Sequence, residues 1–180
     1  YRMVNWDPEA KTTLSDEEVI YVEQPGKLYY LRYPIEGSSE SVQIATTRPE
    51  TILGDTAICV HPDDERFNHL KGKRVIVPIV DRSIPVIEDD YVDMEFGTGC
   101  VKITPAHDFN DADMGKRHNL DIINVLTDDA KINEDMPEAY IGMDRFDART
   151  QIVADFEELG LLEKVEPHKL MVPRGDRSHT

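Results

Sequence analysis

Short runs of β-branched and aromatic residues dominate the first two thirds of the chain and predict strands. Runs at residues 19–23 and 28–33 flank Pro25 and Gly26, so they predict a hairpin that turns at this dipeptide. Further strands are predicted at 42–47, 74–80, 84–87, 100–104 and, as a buried strand, 122–126. Proline, glycine or serine interrupts or separates most of these runs, as is usual where a chain turns.

Fewer segments carry the signals of helices. Residues 63–70 predict a helix that ends before Gly72. Residues 110–118 predict a short helix with Asn110 or Asp108 as its N-cap, because the side-chain oxygen of either residue can accept a free backbone N–H.

The clearest helix is predicted at 144–159, where Asp144 can cap the start and Gly160 stands at the expected end. Its apolar face is predicted to consist of Phe146, Ile152, Val153, Phe156 and Leu159. Many short strands with only a few helices indicate an α+β fold with a mixed, β-barrel-like core.

The length of 180 residues suits one domain with its own core, and no internal repeat is visible. Both ends of the chain are polar and turn-like. We therefore expect residues 1–14 and 168–180 to be linkers to a larger protein, and residues 172–180 to form a polar loop without helix or strand.

The composition is that of a folded protein, with 39% hydrophobic and 31% charged residues. No apolar run approaches the roughly 20 residues of a membrane span, and the first residues do not resemble a signal peptide. The two cysteines, Cys59 and Cys100, lie in apolar runs and indicate reduced core thiols. These features predict a cytoplasmic protein without a membrane segment.

The formal net charge of −16 restricts the expected partners, because an acidic protein repels a polyanion at long range. Binding of RNA then requires basic residues gathered locally. Residues 71–74 and 116–118 are such groups in sequence, although solvated surface charge is the favoured explanation of each segment taken alone.

A polar stretch at 97–111 interrupts the strand pattern and carries the residues that suggest chemistry. Lys102 and Thr104 lie two apart, so in a strand they share one face. Asp108 and Asp111 follow three apart at a strand-to-helix junction, where both can face one pocket. The free N–H groups of a helix N-terminus can also bind an oxyanion. Together these groups can bind an ammonium and a hydroxyl at once.

Each of these residues also has a structural interpretation. Asp108 can simply cap the helix, and His107 can be a structural histidine. Aspartates beside a histidine also allow a magnesium or zinc hydrolase, but the set offers too few well-spaced ligands for zinc and no phosphate partner for magnesium. Composition and spacing alone therefore predict an α+β domain with a polar pocket.

A second polar stretch, at residues 46–51, has the same ambiguity. Thr46 and Thr47 fit a strand, and Glu50 can pair with Arg48 at the surface. Residues 46–51 indicate a function only when the longer string around them, 45–55, is compared together with the polar stretch at 97–111.

The string at 45–55, Ala-Thr-Thr-Arg-Pro-Glu-Thr-Ile-Leu-Gly-Asp, resembles the threonine-rich peptide of the editing domains of valyl-, isoleucyl- and leucyl-tRNA synthetases. The string at 97–111 resembles their second editing motif. Similarity to the valyl branch extends over nearly the whole chain, through the segments 4–8, 15–19, 60–66, 102–108 and 115–118.

The resemblance implies that residues 1–180 are a single editing domain from a class I synthetase, inserted into a catalytic core that is absent here. It implies hydrolysis of threonine wrongly attached to tRNA(Val) and leaves threonyl-adenylate open as a second substrate. The implied partners are the acceptor end of that tRNA and the rest of the synthetase in cis. No cofactor is expected in this chain, since ATP and magnesium belong to the absent core.

The resemblance also assigns roles to residues of this sequence. Asp111 matches the aspartate that holds the α-ammonium group of the substrate, while Asp108 with Lys102 and Thr104 matches the set that reads the threonine hydroxyl and places the ester. The residues expected to bind substrate are Thr46, Thr47, Arg48, Glu50, Asp93 and His107. Asp93 stands where the family can carry a glutamate. Water is the expected nucleophile.

Two alternatives remain open from the sequence. One is the same chemistry with isoleucyl or leucyl specificity, against which the string at 104–108 speaks. The other is a module that binds the tRNA acceptor end without any activity, which would not need the polar group of Lys102, Asp108 and Asp111.

Overall fold

The fold was analysed in a computed structural model that describes residues 19–175, with side chains described for residues 25–169. The described strands form two sheets. One has the order β2-β1-β7, from β1 (Val19–Pro34), β2 (Ser41–Thr46) and β7 (Leu162–Gly175). The other has the order β4-β5-β3-β6, from β3 (Ala57–Val60), β4 (Arg74–Val77), β5 (Arg82–Glu88) and β6 (Cys100–Ile103).

Strand β1 runs without a break through Pro25 and Gly26, so the predicted hairpin at this dipeptide is wrong. The partner of this segment is β7, which pairs antiparallel with β1 along its length. Strand β2 pairs with β1 only from Tyr29 onward. The earlier part of β1 is therefore a sheet edge on that side, where a proline without an N–H is tolerated.

Strand β7 also corrects the prediction for the end of the chain. The segment 172–175, expected to be a polar loop, pairs with the start of β1 and ends at Gly175. Residues 176–180 and the predicted linker at 1–14 lie outside the described residues.

The second sheet is mixed, because β3 pairs parallel with β5 and antiparallel with β6. Every residue of β3 is buried, which a fully apolar run such as Ala-Ile-Cys-Val allows. The α+β class is confirmed. In the described part of the chain, however, the strands form two sheets and not a closed barrel.

Two α-helices lie where the sequence predicts them. Helix α1 (Phe109–Arg117) is capped by Asp108, whose side chain accepts two backbone N–H groups. Helix α2 (Arg145–Glu158) is capped by Asp144 and followed by Gly160 at φ +74°. The segment predicted as a helix at 63–70 is the kinked 3₁₀ helix Glu65–Leu70. Further 3₁₀ helices are Pro49–Gly54 and Glu138–Tyr140.

The buried face of α2 differs from the prediction at both ends. Ile152 and Phe156 are buried as expected, together with Ala148. Phe146 and Leu159 are instead exposed, in the first turn and at the C-cap. No helix among residues 19–175 is long and apolar enough to cross a bilayer.

The buried strand predicted at 122–126 does not form. Its only β contact in the described chain is a single bridge from Leu126 to Ile132. The N–H of Val125 donates to the ring of His107 rather than to a neighbouring strand. Val125 is nevertheless fully buried, whereas Ile122 is exposed. The apolar run therefore packs as an irregular segment against the core.

Both cysteines are buried in the core, as predicted. Cys59 and Cys100 are buried on neighbouring strands, β3 and β6, but belong to different clusters of core residues. Burial raises the pKa of the Cys59 thiol to about 12 and that of Cys100 further still. Both thiols are therefore protonated at neutral pH.

Gly54 ends the 3₁₀ helix Pro49–Gly54 at a point where the chain packs against residues 123–125. A β-carbon there would lie 2.7 Å from Val125 Cγ2 and 2.8 Å from the carbonyl oxygen of Ile123. We expect Gly54→Ala to lower the free energy of unfolding by about 1–3 kcal/mol through overpacking, measured by urea denaturation. Ser39→Ala, in an exposed loop, serves as the control. An unchanged midpoint for Gly54→Ala would contradict the close packing.

Candidate active site

A cleft of about 500 Å³ opens between the end of β2, the segment 91–96, the end of β6 and the start of α1. Nine of the ten residues predicted for the site line it: Thr46, Thr47, Arg48, Asp93, Lys102, Thr104, His107, Asp108 and Asp111. Glu50 does not. The cleft is also lined by residues that the prediction missed, among them Thr51, Tyr91 and Phe96.

Lys102 stands at the buried floor of the cleft. Its Nζ atom lies 2.7 Å from Asp55 Oδ1 and 3.0 Å from Thr51 Oγ1, and it also donates to the hydroxyl of Thr104. An ammonium group has three donors, and these three contacts account for all of them. Lys102 therefore supplies fixed positive charge to the floor and organises the hydroxyls around it.

Asp55 is the main residue that the sequence analysis missed. Its carboxylate is fully buried and accepts hydrogen bonds from the hydroxyl groups of Thr104, at 2.7 Å, and Tyr33, at 2.5 Å, in addition to Lys102. Burial raises the pKa of Asp55, and the ammonium group of Lys102 opposes that rise. One signal was available, since this carboxylate follows Ile-Leu-Gly and precedes Thr-Ala-Ile, a context that indicates burial.

Arg82 fixes the backbone on which Asp55 stands. Its Nη1 atom donates to the carbonyl oxygens of Leu53, at 3.1 Å, and Asp55, at 2.9 Å. The guanidinium of Arg82 therefore donates to carbonyl groups at the end of the 3₁₀ helix Pro49–Gly54, which lack hydrogen-bond partners within that helix.

Asp111 faces the cleft from the first turn of α1. Its Oδ2 atom accepts the backbone N–H of Thr104 at 2.9 Å. Burial is the main reason that the pKa of Asp111 rises to about 7, and the neighbouring carboxylate of Asp108 adds to that rise. The pKa of this carboxyl therefore lies near neutral pH, and an approaching cation would favour its ionised form.

Asp108 lines the cleft and also caps helix α1. Its Oδ1 atom accepts the N–H groups of Asn110, at 2.9 Å, and Asp111, at 3.1 Å. Those two donors are therefore not available to an oxyanion, which weakens the predicted use of the helix N-terminus for that purpose.

His107 is a buried residue of the cleft wall. Its Nε2 atom accepts the backbone N–H of Val125 at 2.8 Å, so the neutral ring carries its proton on Nδ1. Burial, followed by the charges of Arg48 and Lys102, lowers the pKa of His107 to about 4. The ring is neutral at pH 7. Its Nε2 lone pair is occupied by the N–H of Val125, so His107 cannot act as a general base through this atom. This agrees with a structural role.

Glu50 is placed differently from both expectations, because it is neither at the surface nor in the cleft. Its side chain is 1% exposed and forms a two-point ion pair with Arg149 of α2, at 2.8 and 2.9 Å. Arg48 Nε lies 3.5 Å away on the cleft side. The carboxylate is held inside because two guanidinium groups neutralise it there.

The remaining predicted residues form the rim. Thr46 Oγ1 accepts the backbone N–H of Arg48 at 3.0 Å, which fixes the turn after β2. Thr47 is partly exposed. Asp93 is exposed and accepts the N–H of Glu95 at 2.9 Å. The aromatic side chains of Tyr91 and Phe96 stand beside it, also exposed.

Within residues 19–175, no group of three or more His, Cys, Asp or Glu side chains is arranged to hold a metal ion. The acidic residues that line the cleft accept backbone N–H groups instead, and Asp55 beneath them pairs with Lys102 and with hydroxyl groups.

Comparison with known proteins places this geometry in a family context. The family model of the leucyl-tRNA synthetase editing domain matches residues 63–152. A valine–tRNA ligase from Francisella tularensis is 61% identical over 177 residues, which are 98% of this chain and 19% of that protein. One from Dechloromonas aromatica is 59% identical over 99% of this chain, again 19% of its own length. The chain thus spans about a fifth of these relatives.

Two solved structures share the fold. A leucyl-tRNA synthetase from Agrobacterium radiobacter, in a ternary complex with tRNA and LeuAMS, superposes with a TM-score of 0.59 at 20% identity, covering 94% of this chain and 22% of that one. The structure named GlLeuRS-CP1 also gives a TM-score of 0.59, at 12% identity over 77% of this chain and 99% of its own.

The pair of Lys102 and Asp55 leads to a stability prediction. Lys102→Met leaves a fully buried carboxylate without its cation, so we expect a loss of about 3–5 kcal/mol in the free energy of unfolding. The pKa of Asp55 should rise further, and a raised carboxyl pKa costs stability as pH increases, so the deficit should be larger at pH 8 than at pH 5. Urea denaturation at both pH values measures it. The exposed Lys116→Met is the matched control, and an equal deficit at both pH values would refute the role of Asp55.

Asp111 gives a prediction of opposite sign. Its folded-state pKa of about 7 lies above the ordinary 3.8, so its contribution to stability is complete below pH 3.8 and lost as pH rises through 7. Asp111→Asn removes this ionisation and keeps an acceptor for Thr104. We expect the variant to be more stable than the parent chain, and its gain to be clearly larger at pH 8 than at pH 5, in thermal melts at the two pH values. A gain that is independent of pH would argue against the raised pKa.

Proposed function

The chain belongs to the leucyl-tRNA synthetase editing-domain family, and we propose that its cleft hydrolyses threonine wrongly esterified to tRNA(Val), as the editing site of a valine–tRNA ligase. Threonyl-adenylate is a second possible substrate of the same cleft. The synthetic reaction, with its ATP and magnesium, would belong to the remaining four fifths of such an enzyme. The acceptor end of tRNA(Val) and that remainder are the proposed partners.

The observation that carries the proposal is the convergence of Asp111 with the Lys102–Thr104 pair in one cleft. A threonyl ester presents an α-ammonium group and a β-hydroxyl group close together. The Asp111 carboxylate can bind the ammonium, and the hydroxyl-rich floor around Thr104 can bind the hydroxyl. Thr104 N–H and Asp111 Oδ2 are only 2.9 Å apart, so both recognition elements fall within the reach of one amino acid.

The same arrangement supports selection against valine. Valine carries a methyl group where threonine has its hydroxyl. The threonine hydroxyl can donate to the acceptor site that Thr104 Oγ1 retains beside its contacts with Lys102 and Asp55, whereas a methyl in the same place offers no donor. A second pocket of this kind is needed, because the synthetic pocket of valyl-tRNA synthetases themselves rejects threonine only about 10²-fold.

Water is the proposed nucleophile. Both cysteine thiols are buried and protonated, and the hydroxyl of Thr104 is engaged with Asp55. His107 has its Nε2 atom occupied by Val125. Without a strong base at the cleft, we infer that positioning of the ester and electrostatic stabilisation supply most of the acceleration.

Two other functions have less support. Isoleucyl or leucyl specificity is not favoured, because the relatives at about 60% identity are valine–tRNA ligases. A binding module for the acceptor end without activity would need only the rim of the cleft, around Thr46, Thr47 and Arg48. Such a module would not need a partly buried carboxylate such as Asp111 in the cleft.

The proposal is tested by deacylation of threonyl-tRNA(Val) with the chain in excess, and with valyl-tRNA(Val) as the second substrate. We expect threonine to be released and valine to be spared. Asp111→Asn should slow the release about 10- to 100-fold, the value of one charge-assisted hydrogen bond. Asp113→Asn is the matched control, since this exposed carboxylate of the same helix pairs with Arg117.

The possible outcomes separate the alternatives. Equal hydrolysis of both esters would contradict threonine selection. Binding of the tRNA without release of threonine would favour the binding module. Equal slowing in Asp113→Asn and Asp111→Asn would mean that the effect comes from helix α1 as a whole and not from the cleft.

A further inference from the structure

Helix α2 does not line the cleft, yet one of its residues reaches the cleft wall through a buried carboxylate. Arg149 Nε lies 2.8 Å from Glu50 Oε1, and Arg149 Nη2 lies 2.9 Å from Glu50 Oε2. Two parallel contacts of this kind fix both the position and the plane of a carboxylate. Glu50 is 1% exposed, whereas the Arg149 side chain is 26% exposed.

Glu50 in turn holds the arginine of the cleft wall. Arg48 Nε lies 3.5 Å from Glu50 Oε2, and Arg48 Nη1 donates to the carbonyl oxygen of His107 at 2.6 Å. The guanidinium group of Arg48 is thereby fixed at two of its nitrogens. Its side chain is 38% exposed and lines the cleft.

We propose that Arg149 and Glu50 are positioning residues that set the orientation of Arg48 toward a ligand in the cleft. The inference rests on the proposed function, because the orientation of Arg48 matters only if the terminal nucleotide of an aminoacyl-tRNA enters there. Arg149 belongs to a helix outside the cleft, so the sequence motif that contains Arg48 and Glu50 does not include it.

The role of Arg149 follows from the charge balance around Glu50. Two cations neutralise this carboxylate, one from α2 and one from the cleft wall. If Arg149 is removed, Arg48 is the nearest remaining cation. A buried carboxylate without a partner is unfavourable, so Arg48 should turn from the cleft toward Glu50. The ligand then loses a contact although no residue that lines the cleft has changed.

The kinetic test compares Arg149→Gln with Arg145→Gln in the hydrolysis of threonyl-tRNA(Val). Arg145 is the matched control, because its guanidinium lies 4.7 Å over the ring of Phe146, as that of Arg149 does at 5.2 Å, but it makes no ion pair with Glu50. We expect Arg149→Gln to raise KM about 10-fold, the value of one weakened ionic hydrogen bond. The value of kcat should change by less than about 3-fold, since Asp111 and Thr104 are untouched.

A second comparison asks whether Arg149 acts through Arg48. In a chain that already carries Arg48→Gln, the further change Arg149→Gln should leave KM unaltered, because the group it positions is gone. A merely structural role for Arg149 predicts the same additional loss in both backgrounds. Arg149→Lys retains the charge with one contact to Glu50 in place of two. Its KM should therefore lie between that of the parent chain and that of Arg149→Gln. It also replaces Arg149→Gln if that variant does not fold.

The last measurement does not depend on hydrolysis. The Nε–Hε signal of Arg48 in a ¹⁵N correlation spectrum reports its contact with Glu50, and we expect it to shift in Arg149→Gln but not in Arg145→Gln. If the parent chain releases no threonine, the proposed function fails while this signal still tests the positioning. An unmoved Arg48 signal, or an unchanged KM in a chain that is active, would overturn the inference.

Discussion

The ion pair between Lys102 and Asp55 is the interaction on which the cleft depends. It joins three parts of the chain, because Lys102 lies on β6, Asp55 follows the 3₁₀ helix Pro49–Gly54, and Tyr33 of β1 donates to the same carboxylate. Both charges are almost fully buried. A buried pair is tolerated only when its remaining donors and acceptors are satisfied. The hydroxyls of Thr51 and Thr104 meet that condition here and, for the same reason, stand in the floor of the cleft.

This constraint explains why polar residues interrupt strands in the sequence. Thr104 follows β6 where an apolar residue would pack more simply, but its hydroxyl connects Lys102 to Asp55. Gly54 precedes Asp55, and a larger residue there would collide with Val125 and with the carbonyl oxygen of Ile123. The floor of the cleft is therefore part of the core, and its chemistry cannot be changed without a cost in stability.

The sequence predicts local features well and long-range pairing poorly. The caps at Asp108 and Asp144 depend on hydrogen bonds within three residues, and both were predicted correctly. Whether the chain turns or stays extended at Pro25 depends on pairing with β7, about 140 residues later. The local pattern therefore predicted a turn where the structure has an edge strand.

The same distinction applies to the site. Eight of the nine predicted residues that line the cleft belong to two recognisable strings, at 45–55 and 97–111. Asp55 was within one of these strings but was overlooked, because its role becomes visible only when Lys102 of the other string is placed beside it. Arg149 belongs to neither string, and no local pattern ties it to Glu50, 99 residues away.

Asp55, which is buried beneath the floor of the cleft, and Asp111, which lines it, show how this architecture prepares a binding site. Asp55 is surrounded by an ammonium group and two hydroxyl donors, so its demand for positive charge is met within the protein. Asp111 has one backbone N–H and a second carboxylate nearby, and its pKa rises to about 7. Of two carboxylates in such different surroundings, the one with fewer donors around it gains most from an incoming cation. An α-ammonium group would supply the positive charge that Asp111 lacks. Ionised Asp111 lowers the stability of the empty fold, and contact with the ammonium would recover that free energy as affinity for the substrate.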